Sequence, residues 1–146
     1  MRKLLRVLPQ VVSGRKILRR KTFMSKVIIP LPSTDFDPTE AGVTWKVLKQ
    51  SKVDVTFATL DAQAAAGDAR MITGDCLGIL SPILKANQDG RAAYLEMTES
   101  DEFRNPIRWD DVQISQFDGI ILPGGHAPGM KSYLESQILQ RIVAQF

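Results

Sequence analysis

Residues 117–130 read Phe-Asp-Gly-Ile-Ile-Leu-Pro-Gly-Gly-His-Ala-Pro-Gly-Met, and this stretch decides the fold. Asp118-Gly119-Ile120-Ile121-Leu122 passes from polar to apolar as a short buried strand does. Pro123 stops it, because proline has no N–H for the ladder. Gly124 and Gly125 let the backbone turn sharply and leave N–H groups uncovered. The apolar periodicity of Tyr133–Phe146 then predicts a helix. Strand, glycine turn and helix is the way open α/β sheets build ligand sites at the carboxyl ends of their strands.

The same alternation appears nearer the N-terminus. Val27-Ile28-Ile29-Pro30-Leu31 is a continuous apolar run, as expected of a strand buried on both faces. Ser33–Asp37 reads as a polar loop. Asp37 can cap a helix, Pro38 suits its first position and Glu40 falls at the third, a capping-box pattern. That helix should end near Gln50 and bury Val43, Val47 and Leu48. Val53–Leu60 is a second β-rich run, so a right-handed βαβ unit is expected. Residues 61–116 are less regular, with a helix expected over Ala92–Ser100 and turns at Thr73-Gly74-Asp75 and Trp109-Asp110-Asp111. They read as an insertion or cap between the second strand and the Asp118 strand. The fold class is therefore α/β, a flavodoxin-like three-layer α/β/α sandwich with a parallel sheet of Val27–Leu31, Val53–Ala58 and Gly119–Leu122.

At 146 residues the chain forms at most one ordinary domain. Its net charge of +3 is unevenly spread. Residues 1–26 hold nine Lys or Arg and no acid, leaving ten of the 19 basic residues and all 16 acidic ones, a net of −6. Nucleic-acid binding therefore has no support outside the leader. Residues 1–24, with Leu4, Leu5, Leu8, Val11 and Val12 at helical spacing, read as a basic leader or a mis-assigned start. A transit peptide, a lipid-touching helix and translation from Met24 all fit, and none should pack on the domain 25–146. No apolar run reaches the ~20 residues of a membrane span. The single cysteine, Cys76, excludes an internal disulfide.

Five residues are candidates to carry chemistry. Gly124 and Gly125 could present N–H groups to an oxyanion, or merely permit a tight connection. Glu40 could share a proton with a nucleophile, or close its capping box. His126, the only histidine, sits where a ligand could meet it, but nothing at ligand spacing accompanies it, so no metal is assigned. Cys76 follows Asp75, whose charge opposes a thiolate, and reads as a packing residue.

Lys26–Leu31 with Asp37-Pro38-Thr39-Glu40, and Phe117–Met130 some 80 residues on, together resemble the ThiJ/PfpI superfamily, of the class I glutamine amidotransferase-like fold. The GGHAPGM form, Arg91-Ala92-Ala93-Tyr94 and Asn105-Pro106-Ile107-Arg108-Trp109 look most like its larger intracellular members, which include chaperone-like, glyoxalase and deglycase-type proteins and peptidase-like ones. The resemblance implies catalytic roles for Glu40, as the acid beside the nucleophile, and for Gly125, as an oxyanion-hole donor. It implies binding roles for Gly124 and His126. The family's nucleophile is a cysteine on a strand-to-helix elbow beyond Phe146, so the fold is expected to be C-terminally incomplete and the chain inactive alone. The resemblance also implies a small carbonyl substrate or damaged protein as partner, no cofactor, homodimers of the complete protein and a cytoplasmic setting. Organelle import would follow if residues 1–23 are a transit peptide. The competing expectation is a non-enzymatic, holdase-like fragment.

Overall fold

The computed structural model describes residues 24–73 and 88–146. Residues 1–23 of the expected leader, Cys76, and Gly74 and Asp75 of the expected turn lie outside those residues. Four parallel strands form the main sheet: β1 (Lys26–Pro30), β3 (Asp54–Thr59), β5 (Ile107–Arg108) and β6 (Gly119–Ile120), in the order β5-β3-β1-β6. β1 is central, pairing Lys26–Pro30 with Asp54–Ala58 on one side and Val27–Ile28 with Gly119–Ile120 on the other. Ile28, Ile29, Pro30 and Leu31 are consecutively buried, which accounts for an unbroken apolar run in place of alternation. A second parallel pair joins β2 (Thr34–Phe36) to β4 (Ala66–Gly67). The fold is flavodoxin-like α/β, with helices packed on a parallel sheet.

Helix α1 (Pro38–Gln50) begins where its cap chemistry places it. The Asp37 carboxylate accepts from the N–H groups of Thr39 at 2.8 Å and Glu40 at 3.1 Å. Its buried face differs from the expected one. Pro38, Ala41, Gly42 and Trp45 are buried, whereas Val43 and Val47 are 38% and 54% exposed. The cause is Gly42, which packs on α3 (Gln88–Thr98) so closely that a Cβ there would lie 2.6 Å from the Tyr94 nitrogen. That contact turns the small residues inward and the two valines out. Trp45 Nε1 donates to Glu102 of the short helix α4 (Asp101–Arg104) at 3.0 Å, and Lys49 reaches the same carboxylate at 2.8 Å.

The 61–116 stretch supplies β4, α2 (Ala69–Thr73), α3, α4 and β5, then two 3-10 turns at Trp109–Asp111 and Ile114–Gln116. Trp109 is buried and its indole N–H donates to the Ala58 carbonyl at 3.1 Å, tying this stretch to β3. The helix expected over Ala92–Ser100 starts earlier, at Gln88, and ends at Thr98.

Two corrections fall at the C-terminal end. The single helix expected over Tyr133–Phe146 is two, α5 (Met130–Leu134) and α6 (Gln137–Val143). Ser136 separates them, its hydroxyl accepting from Leu139 N–H as a new N-cap. The strand expected over Gly119–Leu122 is regular only at Gly119–Ile120. Ile121 N–H still reaches the Ile28 carbonyl at 3.0 Å, but Leu122 is 46% exposed.

Candidate active site

Glu40 and the glycine turn, 84 residues apart, meet. β1 and β6 lie side by side, so the segments leaving their carboxyl ends are neighbours. Asp37 N–H donates to the Gly124 carbonyl at 2.7 Å, and Gly124 N–H donates to Glu40 Oε2 at 2.6 Å. The first turn of α1 therefore grips both polar groups of one glycine. The capping box does not close, because the Asp37 N–H that Glu40 would have accepted is already bonded to Gly124. Glu40 is exposed, and among the described residues its Oε1 has no hydrogen-bond partner. A carboxylate so held is oriented by one oxygen and free to exchange a proton through the other.

The two glycines are thereby unequal. Gly124 N–H is committed to Glu40. Gly125 N–H has no partner among the described residues. A Cβ at Gly125 would lie 2.6 Å from the Asp35 carbonyl oxygen and 2.9 Å from Met130 Sδ, so the turn is pressed against its surroundings. An unpaired N–H on an immobile turn can stabilise developing negative charge, because little reorganisation is needed.

His126 is exposed and lines a concavity of about 330 Å³ with Gly125, Pro128, Met130 and Lys131; Glu40 does not line it. Two features here escaped the sequence. Ser33–Asp37, read as a loop, contains β2, with Phe36 fully buried and tilted against Tyr94 and Phe103. The only sequence signal for it was one aromatic residue among polar neighbours. The second is Asp68, which is buried and bonded through both oxygens to Arg70 at 3.0–3.1 Å. Burial raises its carboxyl, but hydrogen bonds from the Arg70 side chain and backbone, with the charges of Arg70 and His126, outweigh that and hold it below the usual carboxylate range. His126 thus lies within electrostatic reach of a buried anion. No group of three His, Cys, Asp or Glu among the described residues is placed to hold a metal ion.

A family profile described as ThiJ/PfpI family-like matches residues 31–146, a span that includes Glu40, Gly124, Gly125 and His126. The chain belongs to that family. The ThiJ/PfpI-like chain is 29% identical over 135 residues to uncharacterized protein C14C4.04 of Schizosaccharomyces pombe, covering 91% of this chain and 48% of that protein. Its fold resembles that of a ThiJ/PfpI domain protein from Brachyspira murdochii, with a TM-score of 0.56 and 11% identity over 83% of this chain and 51% of the other. It likewise resembles the 24 kDa rapid encystment protein of Francisella tularensis, with a TM-score of 0.56 and 14% identity over 84% and 53% of the two chains. The ThiJ/PfpI-like chain therefore spans about half the length of these relatives. No helix among the described residues is long and apolar enough to cross a membrane.

Proposed function

We propose that this chain carries the acid and the oxyanion-binding turn of a ThiJ/PfpI-type centre acting on small carbonyl compounds. The observation that carries the reading is the 2.6 Å hydrogen bond from Gly124 N–H to Glu40, beside a Gly125 N–H that has no partner among the described residues. Glu40 is the acid that tunes the nucleophile's proton, Gly125 N–H receives the oxyanion, and Gly124 and His126 line the approach. A thiolate attacking a carbonyl carbon places negative charge on the carbonyl oxygen, and a fixed N–H donor answers that charge. The concavity of about 330 Å³ suits a small substrate. The nucleophile belongs, on this reading, to the half of the relatives' length that this chain does not span.

The test is methylglyoxal turnover. The 146-residue chain alone should show none above its Glu40→Ala variant. Fused after Phe146 to the part of the Schizosaccharomyces pombe relative that it does not match, it should gain turnover. Robust turnover by the chain alone that disappears in Cys76→Ser would overturn this placement of the nucleophile.

A second reading is holdase-like binding of unfolded chains. It is favoured by an apolar concavity of about 310 Å³ lined by Leu122, Leu134, Leu139 and Val143, of which Leu122, Leu134 and Val143 are 40–63% exposed. Suppression of aggregation of a heat-denatured client, lost in a Leu122→Ser, Leu134→Ser double variant, separates it from the first.

A further inference from the structure

β2 is irregular at one residue. Its pairing with β4 runs Thr34 to Ala66 and then Phe36 to Gly67, so Asp35 is an extra residue with no counterpart. Such a bulge re-aims a side chain. Asp35 also has a φ of 72°, a left-handed conformation that side-chain-bearing residues rarely adopt. Both neighbours of the bulge are anchored. Ala66 N–H donates to the Ser33 carbonyl at 3.0 Å, Asp68 N–H donates to the Phe36 carbonyl at 2.9 Å, and the Phe36 ring is in the core. The unusual backbone is therefore imposed by the surrounding structure, and it sends the Asp35 carboxylate toward the glycine turn.

Asp35 touches both ends of that turn. Its Oδ2 accepts from Gly129 N–H at 2.8 Å. Its carbonyl oxygen lies against Gly125, where a Cβ would come within 2.6 Å. At Gly129 a Cβ would meet Thr34 Oγ1 at 2.4 Å and Asp35 Oδ2 at 2.7 Å, so the backbone there lies directly on the bulge. Residues 124–129 are thus held at one end by Asp37 and Glu40 and at the other by Asp35. Gly125 lies between the two clamps, and among the described residues its N–H, like those of His126 and Ala127, has no partner.

We infer that Asp35 is a positioning residue for the Gly124–Gly125 turn, its carboxylate clamping Gly129 so that the Gly125 N–H stays fixed toward the substrate carbonyl. This rests on the proposed oxyanion role of Gly125. A donor fixed before the reaction needs no reordering as charge develops, and backbone strain held by surrounding structure accumulates at such places. The inference adds to the site a residue that, among the described residues, shares no hydrogen bond with Glu40 and that sequence spacing leaves in a loop.

The test uses amide hydrogen exchange in the 146-residue chain. Gly124 N–H is the decisive probe, because its acceptor is Glu40 and a change there reports the whole turn. In Asp35→Ala its exchange should accelerate at least 10-fold while the amides of Ile29 and Phe57 stay within twofold of the parent. Asp35→Asn, which keeps a side-chain acceptor, should restore protection. Asp35→Gly, which removes the carboxylate and relieves the left-handed backbone together, should behave as Asp35→Ala. Unchanged Gly124 exchange in Asp35→Ala would overturn the inference, as would equal loss in Asp35→Asn or acceleration spread over Ile29 and Phe57. If the exchange result holds and the fused protein shows no turnover, the clamp stands and the carbonyl reading falls.

Discussion

At the scale of single residues, the glycine turn is a close fit between backbone and backbone. The two glycines should respond differently to a methyl group. At Gly125 the added Cβ meets the Asp35 carbonyl at 2.6 Å, which cannot move without disturbing β2. At Gly124 it meets Glu40 Oε2 at 3.1 Å, the mobile end of a side chain. Gly125→Ala should therefore lower stability by about 1–3 kcal/mol, the usual range for overpacking, and Gly124→Ala by less, as urea midpoints would show. Equal effects would mean the turn is not pressed on β2 as described. The buried Asp68, paired with the exposed Arg70, gives a pH prediction. The folded carboxyl is held below its ordinary value of 3.8, so the unfolded chain binds protons first as the pH falls. Its stabilisation is present above that value and is lost as pH falls through the lower folded one. Glu102 acts in the same sense from 4.5; burial raises it, but bonds from Lys49 and Trp45 outweigh that. Urea unfolding between pH 2 and 6 should show stability falling below about pH 4.5, with a shallower decline in Asp68→Asn.

Secondary elements were legible where one residue type dictates one conformation. Asp37 and Pro38 set the start of α1, and the apolar run set β1. Only the family resemblance suggested that Glu40 and Gly124 would be neighbours, and spacing could not say that Glu40 would accept from Gly124 in place of closing its capping box. The inward face of α1 was not legible. Val43 and Val47 form an apolar stripe as regular as Ala41 and Trp45, and only the approach of α3 to Gly42 decides between them, whereas Leu48 packs partly buried against the core as expected. β2 was hidden because its bulge interrupts the alternation that marks a strand. Helix packing carries its own prediction. In Gly42→Ala the new methyl would meet α3 backbone, and α1 and α3 would have to separate, at a cost of about 1–3 kcal/mol or more. Val47→Ala, on the exposed stripe, should stay within about 0.5 kcal/mol of the parent. Thermal melts of the two variants check this, and the reverse ranking would restore the face read from the sequence.

At the scale of the whole molecule, β6 has β1 as its only strand neighbour among the described residues. Leu122, Leu134, Val143 and Phe146 are 40–63% exposed near that end of the chain. Among the described residues the buried Tyr133 hydroxyl has no hydrogen-bond partner, and burial pushes its phenol above the usual range. An unpaired strand edge and exposed apolar surface favour association. The 146-residue chain should self-associate in size-exclusion chromatography with light scattering. A monodisperse monomer melting sharply above about 60 °C would show that this surface needs no cover. The central claim concerns Glu40, and kcat/KM for methylglyoxal tests it most directly. The comparison is between the fusion to the unmatched part of the Schizosaccharomyces pombe relative and its Glu40→Gln variant, matched for thermal midpoint. A loss of about 10²–10⁴-fold, the usual range for a positioned acid or base, is the predicted result. Equal kcat/KM in two equally folded proteins would contradict it.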